Sequence, residues 1–211
     1  MSSMKAQANK KLLLPRDLSW SSMQMLEKDE RRWVKKYILG ENIKFSNSGI
    51  EFGKKIADFL ESDEENDNFS WEVIKAKLTR YEVSEMPIKT VLNTQYGEIP
   101  LTGKMDTGRA NLEAFREVKT GRGEAWNQEK ANNHGQLYFY ATIIFNLTNK
   151  IPDVHLDWIK TQEINGVVQL TGEIVPFKIE ITHMDIIKMR ARIIKNARRI
   201  DYLVRQHMKT L

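Results

Sequence analysis

Three short pieces of the chain carry side chains suited to phosphate chemistry. They are Gly103-Lys104-Met105-Asp106, Glu117-Val118-Lys119-Thr120-Gly121 and Gln136-Leu137-Tyr138-Phe139-Tyr140-Ala141. Asp106 ends one apolar stretch and Glu117 lies near the end of the next, with only a short connection between, so their carboxylates can converge. Two hard anionic groups, a backbone carbonyl and waters suit magnesium or manganese, and suit zinc or iron poorly. Val118 turns its side chain to the opposite face of a strand, which leaves its carbonyl free as a further ligand. Lys119 returns to the face of Glu117. There an ammonium can hold an attacking water, favour hydroxide, or offset charge on a pentavalent phosphate. Gln136 and Tyr140 are four apart and share a helix face, so both can reach the phosphate or the water. The set reads as a divalent-metal site for cutting phosphodiesters.

An Asp and a Glu-x-Lys on a hairpin, taken alone, are commonly a surface salt-bridge ladder. The elements around them decide whether they meet. Residues 1–16 read as a flexible lead-in closed by Pro15, followed by one domain over 17–211. A serine at 19, 21 or 22 can cap a helix over 22–38, which Gly40 ends. Its basic face, from Lys28 to Lys36, reads as solvated. A second helix is expected over 49–60, an exposed acidic loop over 61–67, and helical spacing again over 69–81. Strands follow over 88–92, 99–106 and 112–119, with a turn at 95–98 and a tight connection at 107–111. The glycines at 121 and 123 break the pattern, and one long helix is expected over 126–147. A strand over 154–161 leads to Asn165-Gly166, a strong hairpin signal, and then to strands over 167–170 and 174–181. Thr182 and Asp185 form a capping-box pair for a last helix that reaches about residue 207. Its apolar stripe runs from Ile186 to Leu203 at 3.6 spacing. The expected fold class is α/β, a central mixed β-sheet flanked by helices.

The totals agree with an ordinary globular protein. In 211 residues, 41% are hydrophobic and 29% charged, enough for one well-packed core. The net charge of +5 permits a polyanionic partner. Cysteine is absent, which excludes disulfides, Cys-ligated zinc, an iron–sulfur cluster and a Cys nucleophile. No apolar run approaches the roughly 18 residues of a spanning helix, and Leu12-Leu13-Leu14 is too short for a signal core. No membrane role and a cytoplasmic location are expected. Nucleotide-loop and Gly-x-Ser-x-Gly patterns are missing, so NTPases, dehydrogenases and serine hydrolases have little support.

The ordered set of Gly-x-x-Asp, Glu-x-Lys-Thr-Gly and Gln-Leu-x-x-Tyr-Ala resembles the RecB-like branch of the PD-(D/E)XK nuclease superfamily. Ser19-Trp20-Ser21-Ser22 is similar, more loosely, to that branch's opening Ser-aromatic-Ser helix start. The resemblance implies a restriction-endonuclease-like core. It makes Asp106 and Glu117 metal ligands, Lys119 the catalytic lysine, and Gln136 with Tyr140 the accessory pair. Many relatives carry a histidine in an early Gly-x-x-x-His helix as another ligand. The matching piece here is Gly53-Lys54-Lys55-Ile56-Ala57, with Ala57 in its place. Asp58, Glu61, Glu51, Glu82 or a water remain as the sources of that ligand.

The expected activity is a Mg2+- or Mn2+-dependent DNA nuclease, an exonuclease of recombination, repair or phage DNA metabolism. A phage-encoded protein would work in the bacterial host cytoplasm. DNA is the expected partner, with a recombination or replication protein and a homo-oligomer as further possibilities. The alternative is a nuclease-like module that binds DNA or a partner without cutting, and a third reading is a structural assembly protein. Arg122, Trp126, Lys188, Arg192 and Lys195 are candidate DNA contacts, with solvated or core roles as the bland counterpart. His134, His155, His183 and His207 show no ligand spacing and read as structural or solvent-facing.

Overall fold

Two stretches that periodicity assigns to single helices are each broken in two. In the computed structural model, which describes residues 11–43, 48–62 and 69–209, the first breaks at Asp29. It forms α1 (Trp20–Lys28) and α2 (Glu30–Tyr37). Asp29 is the reason: its carboxylate accepts from the Arg32 N–H at 3.0 Å and so starts a new helix. The bend turns Trp33 into the core at 0% exposure, where its indole donates to the Ser22 hydroxyl at 3.0 Å.

α3 (Ser48–Glu61) and α4 (Phe69–Lys77) follow. Glu61 thus belongs to a helix, not the acidic loop, and 63–67 lie outside the described residues. α4 ends before Tyr81 because the Tyr81 N–H is taken by Thr107 Oγ1 at 2.9 Å, which starts the chain toward the sheet.

The sheet has the order β1 (Val83–Thr94), β2 (Gly97–Gly108), β3 (Ala114–Arg122), β4 (Asp153–Ile164), β5 (Val167–Ile179). β1–β2, β2–β3 and β4–β5 are antiparallel, and β3–β4 is parallel. The expected strands at 167–170 and 174–181 form one strand instead. A register shift opposite Ile159 to Thr161 and a positive φ of 80° at Gly172 carry it past the irregularity.

The β3-to-β4 connection is helical, as a parallel pair requires. It is α5 (Gln128–Asn132) and α6 (Gly135–Thr148), not one helix over 126–147. At Gly135 the Trp20 ring lies so close that an added Cβ would sit 2.2 Å from it. Asn127 caps α5, and left-handed Asn149 ends α6. The last helix, α7 (His183–Met208), has the expected capping box between Thr182 and Asp185.

Helices cover both faces. Phe115 and Trp158 pack with α1, α2, α6 and α7 in one apolar cluster. Val118, three residues beyond Phe115, and Ile159, next to Trp158, pack with Ile56, Leu60 and Ile74 of α3 and α4 in another. Adjacent strand residues in separate clusters require opposite faces. Of the segment expected as a lead-in, residues 11–16 run beside α7: Leu13 N–H donates to Asp201 at 2.8 Å, and Arg205 donates to the Lys11 carbonyl. No helix among the described residues is long and apolar enough to cross a membrane.

β3 and β4 are also tied by a buried ion pair. Arg116 Nη1 reaches both Asp157 oxygens at 2.8 and 2.7 Å, with side chains 12% and 3% exposed. Removing one partner leaves the other charge uncompensated. Arg116→Met should lower unfolding free energy by about 3 kcal/mol or more in denaturant titration. The double variant Arg116→Met, Asp157→Leu should recover much of that loss.

Candidate functional site

β2 and β3 pair at only two positions, Thr107 with Arg116 and Gly108 with Phe115. One residue further along, the ladder would set Asp106 opposite Glu117. There side chains replace backbone pairing. Asp106 Oδ2 accepts from the Val118 N–H at 2.7 Å, and the Asp106 N–H points to Glu117 Oε1 at 3.4 Å. Each carboxylate is therefore held by the other strand, and the convergence expected from the sequence is found.

Glu117 is fully buried at 0% exposure, and Lys119 Nζ lies 3.0 Å from its Oε2. Burial is the main force on Glu117, and with Asp106 beside it outweighs Lys119, pushing the carboxyl up to about 7. Burial opposes the charge on Lys119 most strongly. Glu117 and Asp106 together outweigh it, so the lysine is raised above its ordinary range and stays an ammonium.

Gln136 and Tyr140 share a face as expected, and form a relay. Gln136 Nε2 donates to Tyr140 OH at 2.9 Å, and that hydroxyl donates to the Lys104 carbonyl at 2.8 Å. Burial first, then Glu117, pushes the Tyr140 hydroxyl up to about 12. The pair therefore grips β2 two residues before Asp106. Gly103 makes room for it: an added Cβ would lie 2.6 Å from the Tyr140 ring. The glycine of the first piece and the tyrosine of the third are one steric unit.

His134 joins the same network, with Nε2 3.2 Å from Gln136 Oε1 and its ring edge-to-face with Trp126 at 5.2 Å. Burial and then Lys119 push it down to about 4, so it is neutral. Its spacing from Gln136 is the only signal the sequence carries for this, and that says nothing about the carboxylates. Glu85 was also missed. It stands across from Asp106 by the register of its neighbours, has a φ of 49°, and pairs with Lys104.

A cavity of about 510 Å³ opens beside the fork, lined by Asp106, Val118, Lys119 and residues of α3. Ala57 and Arg122 are among its walls, and Arg122 pairs with Glu163. Glu82 is elsewhere, accepting from the Ala110 N–H at 2.8 Å. Glu51 and Asp58 are exposed and do not line the cavity, and the Glu61 side chain lies outside the described residues. A second groove on the Tyr140 side is lined by Ser19, Lys104, His134 and Gln136. On α7, Lys188 and Lys195 are exposed. Arg192 is engaged, donating to Glu27 through Nε at 2.8 Å and lying over the Trp20 ring at 4.9 Å.

No family model and no curated protein sequence matches the chain. A crystal structure of a candidate exonuclease from Eubacterium rectale is similar, with a TM-score of 0.58 over 98% of this chain and 87% of that one, at 12% identity. The two proteins share their fold. SSO0001, at a TM-score of 0.47 and 11% identity over 85% of this chain and 75% of its own, is too distant to add to that.

Among the described residues no group of three or more His, Cys, Asp or Glu side chains converges as a ready cation cage. Two close carboxylates, one buried and raised, fit a magnesium-type ion that takes its other ligands from water and phosphate. A carboxyl raised from 4.5 to about 7 gives the metal-free fold an extra proton between those values. Its contribution is full below about pH 4.5 and is lost as pH rises to about 7, at up to about 1.4 kcal/mol per unit. Unfolding in chelator should show Glu117→Gln gaining on the unaltered protein across that window and holding its gain above it. Parallel curves would show Glu117 ionised throughout.

Proposed function

We propose that this protein is a metal-dependent deoxyribonuclease that hydrolyses phosphodiester bonds, acting as an exonuclease on DNA ends. The observation that carries the proposal is the fork at which Asp106 and Glu117 meet with the Lys119 ammonium 3.0 Å away. The nuclease-like fold supports it.

Asp106, Glu117 and the Val118 carbonyl would hold Mg2+ or Mn2+. When bound, the ion supplies a Lewis acid and a water of lowered pKa. Lys119 stays protonated, so it serves as a donor and a positive charge rather than a base. It would orient the attacking water and offset charge on the phosphoryl oxygens. Gln136 and Tyr140 act through backbone, since their relay ends on the Lys104 carbonyl and sets the position of Asp106. DNA would be the polyanionic partner, and work on ends in recombination, repair or phage DNA metabolism would be its setting.

Ala57 favours a second reading. It lines the cavity at the position where the resemblance places a histidine ligand, and its methyl group binds no metal. A nuclease-like module that binds DNA without cutting would need no such ligand.

End-labelled linear DNA and closed circular DNA, with Mn2+ and with chelator, separate the readings. The nuclease should degrade the linear DNA only with Mn2+ and leave the circle intact. Lys119→Ala, Asp106→Asn and Glu117→Gln should each lower the rate by about 10²-fold or more, with the circular dichroism unchanged. Normal degradation by Lys119→Ala would overturn the assignment. Manganese affinity absent from calorimetry, with DNA still bound, would establish the module.

A further inference from the structure

The cavity beside Asp106 and Lys119 has the wrong lining for a site that meets only phosphate and water. Phe52, Ile56, Leu78, Val118 and Val168 make much of its wall apolar, and charged side chains, Glu85 among them, line it as well. Apolar surface open to water is unfavourable unless something covers it. At about 510 Å³ it is the size of a small-molecule site, too small for both strands of a duplex.

We propose that this cavity receives one unpaired nucleobase of the strand being cut, which makes single-stranded or frayed DNA ends the substrate class. The inference rests on the nuclease reading above. A base has apolar faces and is joined through its sugar to a phosphate. The cavity pairs the same two requirements, with its apolar walls running up to Asp106 and Lys119. Exposed Arg80 lines it as well, and no ion pair holds that guanidinium among the described residues, so it is available to the backbone phosphate. Ala57 acquires a role here. A larger side chain on that helix face would project into the space the base needs.

The test uses the full chain with Mn2+ on single-stranded oligonucleotides that are intact or abasic at both ends. The unaltered protein should cut the intact strand about tenfold faster than the abasic one, the scale of one lost base-stacking contact. It should prefer the single strand to a blunt duplex. Ala57→Phe and Val168→Phe, which fill the cavity, should slow cutting of the intact strand and bring the intact-to-abasic ratio toward one. Equal rates on intact and abasic strands by the unaltered protein would overturn the proposal, as would filled variants that keep its preference. Cutting that ignores the base sinks only the cavity assignment and leaves the nuclease standing. Absence of any cutting sinks the nuclease reading and this one with it. If both filled variants fail to fold, the abasic comparison on the unaltered protein decides.

Discussion

The pairing of β2 with β3 stops after two residue pairs, and the candidate site exists because it stops there. A continued ladder would have spent the Val118 N–H on a backbone carbonyl and pressed the strands together. Instead that N–H is satisfied by Asp106, a backbone-to-carboxylate bond that fixes the side chain across the strands. Glu117, opposite, is left in a dry position where its charge is expensive, offset chiefly by Lys119 and less by the Asp106 N–H. The site holds stored electrostatic cost that a divalent ion is well suited to relieve.

What keeps the fork open lies on both sides of it. On one side the Tyr140 ring fills the space a side chain at 103 would occupy, and its hydroxyl takes the Lys104 carbonyl. Further along the same layer, Trp20 occupies the space above Gly135, which breaks the crossover helix and sets where α6 begins. Gln136 is the second residue of α6, so its reach toward Tyr140 depends on that packing. On the other face Val118 is anchored among Ile56, Leu60 and Ile74, while Arg116 and Asp157 tie β3 to β4. β3 is thus held independently of β2. The two strands can separate at Asp106 without either losing its place.

The same geometry gives the two faces different work. The α6 side is polar and saturated, with His134, Gln136 and Tyr140 bonded to one another. The α3 side carries the cavity, whose wall is in large part apolar, and Ala57 contributes a methyl group to it. A site supplied with two carboxylates leaves more of an ion's coordination to water and substrate than a three-ligand cage does. In the proposed nuclease, substrate phosphate would then become part of how the ion is held.

Much of this was legible in the residues alone. Asp106, Glu117 and Lys119 declare themselves because few side chains do this chemistry, and strand periodicity places them on adjacent strands. The capping box at Thr182 and the Asn-Gly turn at 165 are local signals, and local structure obeyed them. The breaks at Asp29 and Gly135 were not legible. Apolar periodicity continues across both; Asp29 caps the new helix locally, but the Trp33–Ser22 contact that rewards the bend and the Trp20–Gly135 contact that breaks the crossover helix join residues far apart. Glu85 was missed for the same reason, and so was the tie of His134, read as structural or solvent-facing, to Gln136. Neither has a telling neighbour in sequence, and each is placed by a strand or helix that arrives from elsewhere. The types of group available for chemistry are written in the chain, because they depend on covalent structure. Their burial, and so the charge state of Glu117 and the neutrality of His134, was decided only by folding, because desolvation belongs to the surroundings and not to the residue.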